Sequence, residues 1–137
     1  MSSPDPVNDP SNELIADVFA RGCDSRGVLA DVSNKWGVLA LVALGEGAYR
    51  FNALRRRVDG VSEKMLAQTL QTLERDGLVR REVQGAIPPK VEYSLTPLGG
   101  QVAERLRGLI DLLEGNLPAM VAAQADYDAE RLATRPA

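Results

Sequence analysis

The sequence contains no histidine and only one cysteine, Cys23. These absences exclude histidine acid–base catalysis, Ser-His-Asp and Cys-His nucleophile systems, and any zinc cage assembled from Cys and His. One thiol also excludes an intramolecular disulfide framework. No basic start leads into an apolar h-region, and there is no apolar run of about 18 residues, so neither a signal peptide nor a membrane span is expected. Asp and Glu are scattered at helix ends and exposed positions rather than paired on an inward face. No enzyme, catalytic residue, metal or cofactor is therefore expected. Positive charge is not in excess: 16 Lys and Arg against 19 Asp and Glu leave a net charge of -3, which provides no blanket polycation for coating nucleic acid. A chain of 137 residues reads as one compact unit in the cytoplasm.

Residues 1–10 hold Pro4, Pro6 and Pro10 among Ser, Asp and Asn and read as a flexible tail. Ser11 or Asn12 can cap a short helix carrying Leu14, Ile15, Val18 and Phe19, ended by Arg21-Gly22. A second helix is expected over residues 25–34 with Val28, Leu29 and Val32 inward. A third, nearly all apolar and hence central, spans residues 35–44 and carries Trp36 as a core anchor. After Gly45 and Gly47, residues 50–58 read as a helix with Phe51, Leu54 and Val58 on one side and Arg55, Arg56 and Arg57 around the rest. Asp59-Gly60-Val61 turns into Ser62, an N-cap candidate for a helix over residues 63–75 that stops at Asp76-Gly77. Residues 78–83 and 90–95 have strand character around a tip at residues 84–89, a two-stranded ribbon. Thr96 and Pro97 start a helix whose Val102, Leu106, Leu109 and Leu113 form a coiled-coil-like stripe. Pro118 interrupts it, and a last helix carries Met120, Val121, Tyr127 and Leu132.

Helix, Gly turn, helix, hairpin, helix is the order of a winged helix-turn-helix. The fold class is mostly α with a small β-hairpin wing. Residues 11–137 form one winged-helix domain with a DNA-binding core over residues 35–97. Charge distribution agrees, because residues 50–90 hold nine basic and five acidic side chains, a local +4, between flanks of -4 and -3. Cations there gain by releasing phosphate counterions, and the acidic flanks repel DNA from other faces. On a wheel of about 100° per residue, Leu66, Thr69, Leu70 and Leu73 share one stripe of the 63–75 helix. Lys64, Gln68, Gln71 and Arg75 share the opposite side, with Ala67 at its edge. Gln can pair with adenine and Lys with guanine, while Ala67 admits close approach or a thymine methyl. Ser62 and the Arg55 to Arg57 run are expected to hold phosphates, Arg50 is counted with Arg55 and Arg56 among the DNA-binding residues, and Lys90, with Arg80 and Arg81 less directly, is expected to serve the wing.

These residues carry a family resemblance in Asn34-Lys35-Trp36, Tyr49-Arg50-Phe51, Leu54-Arg55-Arg56, Val61-Ser62-Glu63-Lys64-Met65-Leu66, Leu73-Glu74-Arg75-Asp76-Gly77-Leu78-Val79 and Pro88-Pro89-Lys90-Val91-Glu92-Tyr93-Ser94-Leu95-Thr96-Pro97-Leu98-Gly99. The chain resembles the HxlR family of bacterial winged-helix transcriptional regulators over about residues 23–117. The resemblance implies a homodimer on near-palindromic operator DNA, MarR-like in architecture, with dimer contacts from terminal helices. It also places Cys23 where many members carry a cysteine that senses oxidants or electrophiles. Arg21, Arg26 and the helix dipole favour a thiolate there, and Asp24 opposes it. The family's usual Cys-Pro-Val start is here Cys23-Asp24-Ser25, and no second cysteine can resolve a sulfenic acid, which leaves an intersubunit disulfide, a mixed disulfide or an adduct.

The reading is a sequence-specific transcriptional repressor switched through Cys23. Its first rival is a repressor with a small-molecule effector in an apolar pocket between the Trp36 helix and the dimer helices, Cys23 then being a buried structural thiol. A winged helix used only for protein contacts is a more distant rival, which the non-acidic recognition face and Lys90 oppose.

Overall fold

A side chain accepting from the first turn marks the start of four helices in this chain. Cys23 opens α1 (Asp24–Ser33), Asn34 opens α2 (Lys35–Leu44), Ser62 opens α4 (Glu63–Arg75) and Thr96 opens α5 (Pro97–Gly115). Between them stand β1 (Tyr49–Arg50), α3 (Phe51–Arg57), β2 (Val79–Gln84) and β3 (Lys90–Leu95), and α6 (Leu117–Ala133) follows. The computed structural model describes residues 16–134. The expected tail, and residues 11–15 of the expected first helix, lie outside them.

The core forms around α2, whose Ala40, Leu41 and Leu44 are buried against Leu54, Val58, Val61, Leu66, Leu70, Leu73, Leu78 and Val79. Leu41, Leu54, Leu66, Leu70 and Leu73 are the largest wholly buried side chains. Each such burial contributes about 1.5–3 kcal/mol. Trp36, Tyr49, Phe51, Tyr93, Val102 and Leu106 pack against this cluster from its edges. The start of α5 is pinned to the wing base and to the end of α4. Thr96 Oγ1 donates to the Gly77 carbonyl at 2.7 Å, the Thr96 N–H donates to the Leu78 carbonyl at 3.1 Å, and a methyl at Gly99 would overlap that same carbonyl. Glycine is required at Gly99 for this close approach.

Four expectations are corrected. Residues 16–22 are turns, not helix. The Asp17 carboxylate accepts from the Phe19 N–H, and the Arg26 guanidinium donates to the Val18 and Phe19 carbonyls, both at 2.9 Å, so local polar bonds replace a helical ladder. Phe19 is 88% exposed and packs on no apolar surface among the described residues. On α1, Val32 is buried but Val28 and Leu29 are exposed, because within this chain only the end of the helix reaches the core. The ribbon has a third strand: Tyr49 and Arg50 pair with Tyr93 and Glu92, giving the antiparallel order β1-β3-β2. Two residues are too few to show a period in sequence. Finally, the stripe on α5 divides, with Val102 and Leu106 on the core and Leu109 and Leu113 exposed, while no residue of α6 is buried.

Candidate nucleic-acid interface

The amphipathic pattern of α4 sets the geometry of the candidate interface. Leu66, Thr69, Leu70 and Leu73 are buried beneath it, so Lys64, Ala67, Gln68, Gln71 and Arg75 stand exposed on the opposite face. Met65, also exposed, adds an apolar side chain at the first turn. The turn before α4 is fixed by Gly60 at φ +91 and by Ser62 Oγ, which accepts from the Met65 N–H at 3.0 Å. Capping uses the oxygen's acceptor capacity and leaves the Ser62 O–H as a donor toward solvent.

Ser62, Arg55 and Arg56 come together around an open depression of about 630 Å³, shared with Asn52, Asp59 and Glu63. Asn52 is absent from the sequence-derived set. The signal for it is spacing: residues 52, 55 and 56 stand at i, i+3 and i+4 on α3 and so share one face. Arg55 lies 3.4 Å from Glu63 Oε1 in an exposed pair, an attraction weak enough for a phosphate to displace. Arg56 is exposed and makes no ion pair among the described residues. Arg57 turns away from its neighbours. Its Nε and Nη2 clasp Glu46 at 2.8 and 2.6 Å, and the Tyr49 hydroxyl donates to the same carboxylate at 2.9 Å. These donors hold the Glu46 carboxyl down at about 2, and Arg57 is correspondingly raised. Arg57 is thus committed within the protein, a correction to the expectation that all three arginines face phosphate.

Arg50 and Lys90 stand on the sheet, Arg50 opposite Glu92 and Lys90 opposite Gln84, and neither lines that depression. Arg81, opposite Tyr93, instead borders a depression of about 330 Å³ with Ala67, Gln71 and Glu74, so the wing's β2 and the exposed face of α4 share one surface. At the wing tip Ile87 is 95% exposed. Arg80 lies 3.9 Å from Glu82 and faces a larger cavity elsewhere.

Cys23 is 6% exposed. Its Sγ accepts from the Arg26 N–H at 3.1 Å and from Ser25 Oγ at 3.5 Å, so the thiol itself caps α1. Arg26 meanwhile ties down Val18 and Phe19, in the turns that immediately precede Cys23. No single helix among the described residues is long and apolar enough to cross a bilayer.

Comparison with known proteins agrees with this arrangement. Residues 31–120 match a family model described as HxlR-like helix-turn-helix. The uncharacterized HTH-type transcriptional regulator YtfH of Escherichia coli (strain K12) is 57% identical over 105 residues, 77% of this chain and 83% of that protein. A solved structure named as the transcriptional regulator ytfH from Salmonella typhimurium is similar with a TM-score of 0.75 and 53% identity, over 80% of this chain and 97% of that one. The redox regulator HypR in its reduced form follows with a TM-score of 0.66 and 33% identity, over 72% of this chain and 97% of that one.

Proposed function

The chain belongs to the HxlR-like helix-turn-helix family of DNA-binding transcriptional regulators, not enzymes, and from that premise we propose that it is a homodimeric repressor whose operator binding is switched at Cys23. One observation carries the DNA reading: a polar face on α4, with Lys64, Gln68, Gln71 and Arg75, held outward by a fully buried leucine stripe. In this reading Lys64, Gln68 and Gln71 contact base edges and Ala67 fits against a thymine methyl. Arg75 closes the same face. Ser62, Arg55, Arg56 and Arg50 hold phosphates, and Lys90 serves the wing. The apolar side chains left exposed on α5 and α6, among them Leu109, Leu113, Leu117, Met120 and Val121, are the surface that a second copy covers.

The kinship with HypR, named as a redox regulator, supports Cys23 as the switch. A disulfide-forming oxidant takes two electrons and two protons from a pair of thiols, and a quinone instead adds at carbon to the thiolate, leaving a hydroquinone thioether. With Cys23 only 6% exposed, either reagent reaches Sγ as its surroundings open. The experiment is operator binding across a salt series, repeated with diamide or a quinone. Steep salt dependence and preference over random duplex are expected, with release by the reagent and no response from Cys23→Ser. A flat salt dependence defeats the DNA reading, and equal release of both proteins defeats the switch.

A cavity of about 800 Å³ favours a second reading, a small-molecule effector. Val42, Leu44, Leu95, Pro97 and Ala103 give it apolar walls, and Arg80 and Arg107 are among its charged residues. Its volume is within the range of ligand sites. Effector-induced release that persists in Cys23→Ser selects this reading.

A further inference from the structure

Two carboxylates meet where α1 and α4 end. Asp31 lies in the last turn of α1, and Asp76 is the residue that closes α4. Their side chains are within hydrogen-bonding reach of each other, and Asp76 Oδ2 is buried with no donor among the described residues. Neither backbone can easily withdraw. The Asp31 carbonyl accepts from Asn34 Nδ2 at 2.9 Å and lies against Gly37, where even a methyl would not fit. The Asp76 N–H is committed to the Thr72 carbonyl at 3.0 Å, and Gly77 turns the chain at φ +78. Both carboxylates also stand at the negative ends of helix dipoles. The charged groups acting on Asp76 are Asp31 from α1 and Arg75 from α4 itself; none from α2 or β2 does so among the described residues. Two full negative charges here repel each other and both helix ends, with Arg75 a partial offset. The favourable form keeps a proton on Asp76, whose carboxyl donates to the Asp31 side chain.

We propose that Asp31 and Asp76 form a proton-operated latch between α1 and α4, closed while Asp76 holds its proton and loosened when it ionises. Burial and the facing Asp31 raise the Asp76 carboxyl from 3.8 to about 6. An acid raised on folding contributes stability that is fully present below its unfolded value and is lost as the pH rises through its folded one. The operating window therefore lies between about pH 4 and pH 7, with its midpoint near 6. Its position gives the latch consequence, because Cys23 caps α1 and α4 carries the presented face from Lys64 to Arg75.

The test uses the full chain free of DNA, so its result is independent of what α4 binds. Hydrogen exchange, corrected for the intrinsic rate at each pH, is followed between pH 5 and 8 in peptides covering residues 24–33 and 70–77. In the wild type, protection of both segments falls together by about tenfold across the window, a fraction of what the full shift allows for a partly exposed pair. In Asp31→Asn the amide donates to Asp76 at every pH, and protection stays at its low-pH level. Parallel profiles for wild type and Asp31→Asn overturn the latch. So does an equal loss of protection in α2, which marks global rather than local loosening. Asp76→Asn repeats the test from the other side, and Asp31→Asn decides alone if that variant misfolds.

Discussion

Gln68 and Gln71 each project a donor and an acceptor from the exposed side of α4, whereas Arg56 offers only charge and donors. Their substitutions should separate accordingly. Lys64→Ala and Gln68→Ala are expected to cost about 1–3 kcal/mol on the preferred operator and little on random duplex. Arg56→Ala should weaken every duplex alike and lower the salt slope by about 1. Quantitative binding to operator and scrambled DNA checks both, and identical behaviour of the two classes refutes the assignment of the face. Glu46 calls for a different measurement. Arg57 and Tyr49 hold its carboxyl at about 2, so the stability it contributes is present above its ordinary 4.5 and is lost as the pH falls toward 2. Acid unfolding followed by circular dichroism should show a shallower loss over that interval in Glu46→Gln than in the wild type.

At the scale of elements, the leucine stripe under α4 and the glycine under α5 are the positions where one atom matters most. Leu70→Ala should destabilise by about 2–5 kcal/mol, because the surrounding helices leave a cavity rather than collapse into it. Gly99→Ala forces a methyl into the Leu78 carbonyl and should lower the melting temperature, whereas Gly100→Ala, with open space around its Cβ, should be tolerated or mildly stabilising. Calorimetry on the three variants checks this order. Elements with strong local signals were legible in sequence: α2 and β3 have the predicted bounds, and Ser62 and Thr96 cap where expected. The buried stripe of α4 was legible from its period. Other features depend on distant partners. Phe19 and Leu29 have helical spacing but stay exposed among the described residues, β1 exists only because Tyr93 is opposite, and Arg57 is claimed by a glutamate eleven positions earlier. Asn52 was within reach of the sequence, since the expected helix over residues 50–58 already put it at i, i+3 and i+4 with Arg55 and Arg56.

Across the whole molecule, a net charge of -3 conceals a +4 segment between acidic ends, and that segment includes α3, α4 and β2. The apolar surface of α5 and α6 is a large exposed patch for one chain to leave in water. Leu113→Glu with Met120→Glu should convert a dimer to a monomer by sedimentation and weaken operator binding more than either half-site contact alone explains. A dimeric sedimentation value for that variant places the interface elsewhere. In such a dimer the close approach of Gly99 to Leu78 leaves little slack between α5 and the turn that closes α4. A helix of 19 residues is about 28 Å long, so a tilt of about 5° moves its far end by roughly 2.5 Å. Run in reverse, a small rearrangement where α5 meets its partner swings the two recognition helices together or apart, and a duplex that offers its half-sites at one fixed helical phase rejects the mismatch.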